Sequence, residues 1–389
     1  MFFELASSTW DDEERQAIQA VIDSDRYTMG ERVKEFEEKF SEKLGKKYAV
    51  MVSSGSTANL ISTAALSFKS QRPLQRGDEV IVPAISWATT YYPLQQYGLK
   101  LRFVDVDLDN LGMDVTKLGQ ALTPHTRMLV GVNILGNPAA LDVMRAFCDQ
   151  HDLYFFEDNC ESLGAELNGQ KCGTFGDIST FSFFFSHHIA TMEGGMILTD
   201  DEELFHILLS LRAHGWVRDL PEDTLLCNRS EDTFEEAYRF ILPGYNARPL
   251  EMSGAVGVVQ LKKLDLVTQV RRKNADLFHD LFANDDRFIL QKENGKSSYF
   301  SFTMIVKPGS GIQRDQIFGK LRQADIGFRM ITGGNFLRHD VIRYFNYDVV
   351  DGVTPNADLA HDHGFFVGNQ PYDIQPQLEK LQQVLHEIE

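Results

Sequence analysis

Basic residues are scarce in this chain relative to acidic ones: 38 Lys and Arg stand against 56 Asp and Glu, a formal net charge of −18. Phosphate backbones are bound by clustered Lys and Arg, so this balance argues against nucleic acid as a partner. It leaves room for a small anionic ligand, which answers to local rather than net charge. Long apolar runs are also missing. Nothing approaches the roughly 18 apolar residues of a membrane span, so no membrane partner is expected. The start, Met1-Phe2-Phe3-Glu4-Leu5-Ala6, has no basic segment and reads as no signal peptide. Cysteine is limited to Cys148, Cys160, Cys172 and Cys227, and none forms a Cys-x-Cys or Cys-x-x-Cys pair. Cluster ligands generally come close together in sequence, so no iron–sulfur cluster is expected, and reduced thiols in the cytoplasm are the simplest reading. There is no internal repeat and no low-complexity tract. Lysine is absent between Lys171 and Lys262.

What is present is the composition of a folded protein. The 389 residues are 43% hydrophobic and 24% charged, and a chain of that length buries enough surface to need no disulfide or metal staple. Residues 11–44 read as two helices, the second with Val33, Phe36, Phe40 and Leu44 at helical spacing. Short apolar runs then alternate with helical segments, with strands expected at 48–52, 78–83, 101–106, 128–134, 153–157, 178–185 and 196–199. That alternation predicts an α/β fold with a mostly parallel sheet. From about residue 250 the pattern changes to a long helix over 249–285 followed by strand-like segments such as 299–306. The expected division is a large α/β domain over 1–250 and a smaller α+β domain over 251–389.

Four places can carry chemistry. Ser53-Ser54-Gly55-Ser56-Thr57-Ala58-Asn59 is a strand-to-helix turn whose exposed N–H groups suit a phosphate, although an ordinary capped helix start has the same look. Phe155-Phe156-Glu157-Asp158-Asn159-Cys160-Glu161 puts carboxylates at the end of an apolar strand, the edge where open α/β sheets bind ligands. An aspartate there can pair with a protonated pyridine nitrogen, or simply cap a turn. Pro83-Ala84-Ile85-Ser86-Trp87 places an indole just past another strand, able to stack on a flat ring or to pack in the core. Ser186-His187-His188-Ile189-Ala190-Thr191-Met192-Glu193-Gly194-Gly195 brings two histidines after a third strand. A metal would need a further ligand at suitable spacing, and none lies nearby, so no metal is expected.

The order of these elements resembles the fold-type I enzymes that use pyridoxal 5'-phosphate (PLP), and within them the DegT/DnrJ/EryC1 sugar aminotransferase family. Thr28-Met29-Gly30 and Pro243-Gly244-Tyr245-Asn246-Ala247-Arg248 extend the resemblance over essentially the whole chain. The family segment reads Ser-Phe, then a lysine, then Glu-Gly-Gly. Aligning Ser182-Phe183 and Glu193-Gly194-Gly195 on it puts His187 where the lysine stands, and His188 one place on.

The resemblance therefore implies a departure. Histidine forms no Schiff base with PLP but shuttles protons near neutral pH. It matches the sugar 3-dehydratases of 3,6-dideoxyhexose synthesis, which hold PLP or pyridoxamine 5'-phosphate (PMP) non-covalently. The implied substrate is a GDP-linked 4-keto-6-deoxy sugar, the co-substrate is L-glutamate, and ammonia and 2-oxoglutarate are released. His187 is the implied catalytic residue. Gly55, Ser56, Trp87, Asp158, Glu161 and Ser182 are the implied cofactor residues, with Asn246 reaching the cofactor of a second subunit in a homodimer. Thr28, Met29, Gly30, Glu31, His214, Arg218 and Arg248 are candidates for the nucleotide sugar, the arginines for their fork geometry toward a diphosphate. Two alternatives remain open at this point: a sugar aminotransferase with a displaced lysine, and a non-catalytic binding homologue.

Overall fold

The computed structural model describes residues 2–388. The strands in chain order are β1 (Tyr48–Val52), β2 (Glu79–Pro83), β3 (Lys100–Val104), β4 (Thr126–Val132), β5 (Tyr154–Asp158), β6 (Glu166–Leu167), β7 (Gln170–Lys171), β8 (Ile178–Ser182), β9 (Gly195–Thr199), β10 (Phe288–Leu290), β11 (Ser301–Val306), β12 (Phe328–Arg329), β13 (Tyr347–Val349) and β14 (Gly364–Gly368). Eight of them form the main sheet in the order β1-β9-β8-β5-β4-β2-β3-β13. Only β9 runs against its neighbours; the pairings from β8 across to β13 are parallel. The strands β2 and β5 are buried along their whole length, so their apolar residues, Val80-Ile81-Val82 and Tyr154-Phe155-Phe156, follow one another without alternation, while Glu79, Glu157 and Asp158 stand at the strand ends.

The second helix, Glu31–Leu44, buries the stripe Val33, Phe36, Phe40 and Leu44 and ends at Gly45, whose φ of 83° gives the left-handed cap. Phe36 and Phe40 pack on Phe183, and Phe40 also on Phe181, which fixes this helix against the strand that leads to the histidines.

The long helix Glu251–Phe282 begins at the proposed 250/251 boundary and packs along the two N-terminal helices. Beyond it lies the antiparallel sheet β10-β11-β14-β12, whose core includes Phe278 stacked on Phe302 at 4.5 Å. One strand of this later part, β13, returns to pair with β3 at the edge of the main sheet.

The strand expected over 178–185 stops at Ser182. Its partner β9 begins at Gly195, opposite Ser182, so the ladder has nothing further to pair with. Phe184 and Phe185 are instead exposed, in a loop closed by bonds from Phe183 N to Gly194 O and from Thr191 N to Phe183 O, both 2.9 Å. No helix among the described residues is long and apolar enough to cross a membrane.

Candidate active site

The C-terminal ends of β1, β5 and β8 converge on one point. Helix Gly55–Ser67 starts there behind a Ser54–Thr57 capping box. The amides of its first turn have no partner within the helix, so Gly55 and Ser56 present N–H groups at its positive end. Gly55 has no room for a side chain: a Cβ would lie 2.6 Å from Ser182 Cβ and 3.1 Å from Cys160 Sγ. Gly195 is equally confined, because its Cβ would meet the Ser54 carbonyl oxygen at 2.3 Å. The two glycines thus bring the turn, Ser182 and Cys160 into direct proximity.

Asp158 ends β5 and is buried. Its Oδ2 accepts from Asn59 Nδ2 at 2.9 Å and from Thr90 Oγ1 at 2.8 Å, and its Oδ1 accepts from Cys160 N at 3.1 Å. Asn59 is itself held by Thr180 Oγ1 at 2.6 Å. Three donors fix the direction of the carboxylate. Thr89, next to Thr90, receives the Ser56 hydroxyl at 3.1 Å, and Trp87 caps the same helix, Ala88–Gln96, with its indole 59% exposed.

Glu161 lies one turn beyond Asp158. Its Oε2 accepts from Leu135 N at 2.8 Å and from Thr332 Oγ1 at 3.3 Å. Burial pushes its carboxyl up to about 7, with the nearby Asp158 charge adding to the rise.

The two histidines face different ways, as adjacent residues in an irregular segment do. His188 is buried and donates from Nε2 to Ser298 O at 3.0 Å, which leaves Nδ1 without a partner. His187 is half-buried, with its ring edge-on to Phe300 at 5.3 Å and to Phe184 at 6.2 Å, and Ser186 Oγ 3.4 Å from its Nδ1. Burial, and then the charge of Arg271, push His187 down to about 4, so at neutral pH it is an uncharged base. Arg271 is itself buried and donates to Phe300 O at 3.0 Å and Asn369 O at 2.7 Å. Phe300 N in turn donates to Leu135 O at 3.0 Å, which joins the wall beside His187 to the residue that holds Glu161.

The remaining candidates sit at a second locus, joined to the first by the bond from Ser53 N to Ala247 O at 2.9 Å. Asn246 is exposed, forms a bridge with Ala213, and accepts at 3.1 Å from Arg248 Nε. His214 takes a φ of 63° and packs on Trp216, over whose ring Arg218 lies at 4.3 Å. Thr28 bridges Leu250, and Met29 packs in the core beneath. Gly30 N donates to Glu251 Oε2 at 2.7 Å and Arg32 N to Glu251 Oε1 at 2.6 Å, while Glu31 pairs with Arg26 at 3.4 Å. The start of the second helix is therefore already filled by a carboxylate from this chain.

Sequence reading misses the residues that hold the site rather than form it: Thr90 and Thr180 around Asp158, Thr332 and the Leu135 amide at Glu161, and Phe300, Ser298 and Arg271 around the histidines. Asn59 had a signal, since it lies one helical turn after Gly55 and so shares its face. All four cysteines are free thiols. Among the described residues no group of three or more His, Cys, Asp or Glu is arranged to hold a metal ion.

The donor set suits a flat heteroaromatic phosphate. Unpartnered amides stand at one end, a buried and triply bonded carboxylate marks the floor, and an exposed indole stands beside them. Comparison with known proteins agrees with that chemistry. A model of the DegT/DnrJ/EryC1/StrS aminotransferase family matches residues 8–385. GDP-4-keto-6-deoxy-D-mannose 3-dehydratase of Yersinia pseudotuberculosis is 52% identical over 385 residues, covering 98% of this chain and 98% of its own. Crystal structures of GDP-4-keto-6-deoxymannose-3-dehydratase are similar throughout. One has a histidine replaced by asparagine and binds GDP-perosamine; it is 51% identical, with TM-score 0.96, over 98% of this chain and 100% of its own. Another holds a trapped PLP–glutamate geminal diamine, with the same identity, TM-score and coverage.

Proposed function

This chain belongs to the DegT/DnrJ/EryC1/StrS aminotransferase family, and on that premise we propose that it is a PLP/PMP-dependent dehydratase that removes the C3 hydroxyl of GDP-4-keto-6-deoxy-D-mannose, with L-glutamate as co-substrate. The observation that carries the reading is the register of Ser182-Phe183 and Glu193-Gly194-Gly195, which puts His187 at the cofactor lysine's place in a chain that keeps the bonded Asp158 carboxylate and the capped turn at Gly55.

When bound, the cofactor supplies an amine for the C4 ketone and a ring that takes up electrons. The chain's residues do the rest. The amides of Gly55 and Ser56 bind the phosphate, with Ser182 beside them, and Trp87 covers one face of the ring. The Asp158 carboxylate, oriented by Asn59, Thr90 and Cys160 N, keeps the proton on the ring nitrogen. Glu161 faces the ring hydroxyl and, with a carboxyl at about 7, exchanges a proton near neutrality. His187 takes a proton from carbon and, once protonated, hands it to the departing C3 hydroxyl; it moves the proton again when glutamate restores the amine form. It cannot displace the sugar's nitrogen as a lysine would, so water does so, and the nitrogen leaves as ammonia.

Arg218, Arg248 and His214 are assigned to the diphosphate side of the nucleotide, with the Thr28-Met29-Gly30-Glu31 turn beside them. Asn246 is assigned to the cofactor phosphate of a second subunit in a homodimer. The exposed apolar side chains Trp87, Phe184, Phe185 and Leu250 around the site support a second subunit there. The free thiols fit a cytoplasmic location.

The test is a mass-spectrometric product assay with GDP-4-keto-6-deoxymannose, PLP and glutamate. Loss of the C3 oxygen with ammonia release is expected, and retention of nitrogen in the sugar would overturn it. Borohydride treatment with PLP should yield no pyridoxyl-lysine peptide from the wild type. His187→Lys should yield one and lose dehydration by at least about 100-fold, the scale of removing a general base.

A further inference from the structure

Ala190, three residues beyond His187, has both of its backbone groups taken by side chains from distant parts of the chain. Its carbonyl accepts from Trp10 Nε1 at 2.8 Å, and its amide donates to Gln260 Oε1 at 3.1 Å. Gln260 is fully buried and is occupied on every side: the Thr9 hydroxyl donates to Oε1, while Nε2 donates to Thr9 O at 3.3 Å and to Glu14 Oε1 at 2.7 Å. Glu14 is also fully buried, closes the capping box of helix Asp12–Asp23 by accepting from Asp11 N at 2.7 Å, and pairs with Lys263 at 2.7 Å. The network runs without a gap from the N-terminal segment, through the long helix, to the histidine loop.

The loop needs such an anchor. Between Ser182 and Gly195 the chain makes no ladder and no helix, and irregular segments of this kind open most readily. An enzyme with a lysine at this place has a covalent bond to its cofactor that fixes the reacting atoms. Here no such bond exists, and the His187 imidazole is placed by the loop, with Phe300 as a wall beside it. His188, held to Ser298 O, fixes the side of the loop facing the C-terminal part. Trp10 and Gln260 fix the other side, at a residue whose own side chain is only methyl and contributes nothing specific.

We propose that Trp10 and Gln260 are positioning residues for His187, acting as a strap that holds the Ala190 peptide and so sets the distance of the imidazole from the reacting carbon. The proposal rests on His187 being the proton-moving group. Neither residue touches the imidazole, so the effect is transmitted through the backbone of 187–190.

The experiment compares wild type, Trp10→Phe and Gln260→Leu as full-length chains. In the cofactor-free proteins, hydrogen–deuterium exchange of the 184–191 peptide should rise in both variants, while that of helix Gly55–Ser67 stays at the wild-type rate. With PLP bound, the single-turnover reaction with glutamate, followed by loss of the aldehyde-form absorbance, should slow about 10-fold in Trp10→Phe. It should slow about 100-fold in Gln260→Leu, the scale of a catalytic group displaced by about 1 Å. PLP affinity and the KM for glutamate should hold within twofold, and the isotope effect with α-deuterated glutamate should increase. A purely structural role would instead lower PLP affinity or the reacting fraction with the isotope effect unchanged, and that result overturns the proposal. So does wild-type exchange and wild-type rate in both variants. Trp10 is only partly buried and Trp10→Phe keeps most of the ring, so this variant decides the matter if Gln260→Leu fails to fold. A wild-type enzyme inert toward glutamate overturns the dehydratase reading instead, and exchange of the cofactor-free loop then decides the strap by itself.

Discussion

Leu135 donates its peptide N–H to the Glu161 carboxylate at 2.8 Å from a left-handed backbone, φ 53°. Thr332, which reaches the same oxygen, is also left-handed at φ 43°. A branched side chain in that region costs about 1 kcal/mol or more. Two such residues meet on one carboxylate, and that carboxylate lies beside Asp158 in the proposed cofactor floor.

The first expectation concerns pH. Glu161 is raised from an ordinary 4.5 to about 7, so between those values the folded protein holds a proton that the unfolded chain releases. The stability this contributes is present below about 4.5 and is lost as pH rises through 7. His187, lowered from 6.5 to about 4, works the other way: its contribution is complete above 6.5 and is lost as pH falls through 4. Glu161→Gln keeps an acceptor for Leu135 and Thr332 but cannot ionise. In the cofactor-free protein its melting temperature should match wild type at pH 5. At pH 8 it should exceed wild type by the equivalent of about 1–2 kcal/mol, discounted for partial exposure. Equal melting curves at pH 8 would remove the burial argument.

Asp158→Asn keeps the shape of the floor and removes the charge that holds the ring proton. Turnover should fall about 10²- to 10³-fold, the scale of losing one preorganised electrostatic partner. Calorimetry should show the thermal midpoint within a few degrees of wild type. A variant with near-normal turnover would mean that Asp158 only caps the turn.

Gly55→Ala puts a methyl group 2.6 Å from Ser182 Cβ, which is fixed to its backbone and cannot swing aside, and 3.1 Å from Cys160 Sγ. Overpacking of this kind costs about 1–3 kcal/mol, and spreading the turn should weaken PLP binding at least tenfold. Isothermal titration and thermal melts check both. Unchanged PLP affinity would show that the turn does not hold the phosphate.

Much of this molecule was legible in its sequence, for local reasons. The short apolar runs within the strands expected at 78–83 and 153–157 marked buried parallel strands, observed at Glu79–Pro83 and Tyr154–Asp158, because strands covered on both faces do not alternate. The places of Gly55 at a helix start and of Asp158 at a strand end were legible because such ends are fixed by neighbouring residues. The register between Ser182-Phe183 and Glu193-Gly194-Gly195 singled out His187, and it also set aside His188, which is buried against Ser298 O.

Tertiary structure alone decided where the last strand before the histidines stops. Phe183-Phe184-Phe185 is as apolar as the residues before it, but β9 offers no partner beyond Gly195. It alone supplied the environment of His187. Phe300 and Arg271 come from segments roughly a hundred residues away, and no periodicity links them to the loop. The same holds for Trp10 and Gln260 on Ala190. The sequence by itself determined which groups are available for chemistry, because residue identity and local backbone carry that information. Which of those groups are neutral, buried and held in place was decided by contacts between distant segments, and these exist only once the chain has packed.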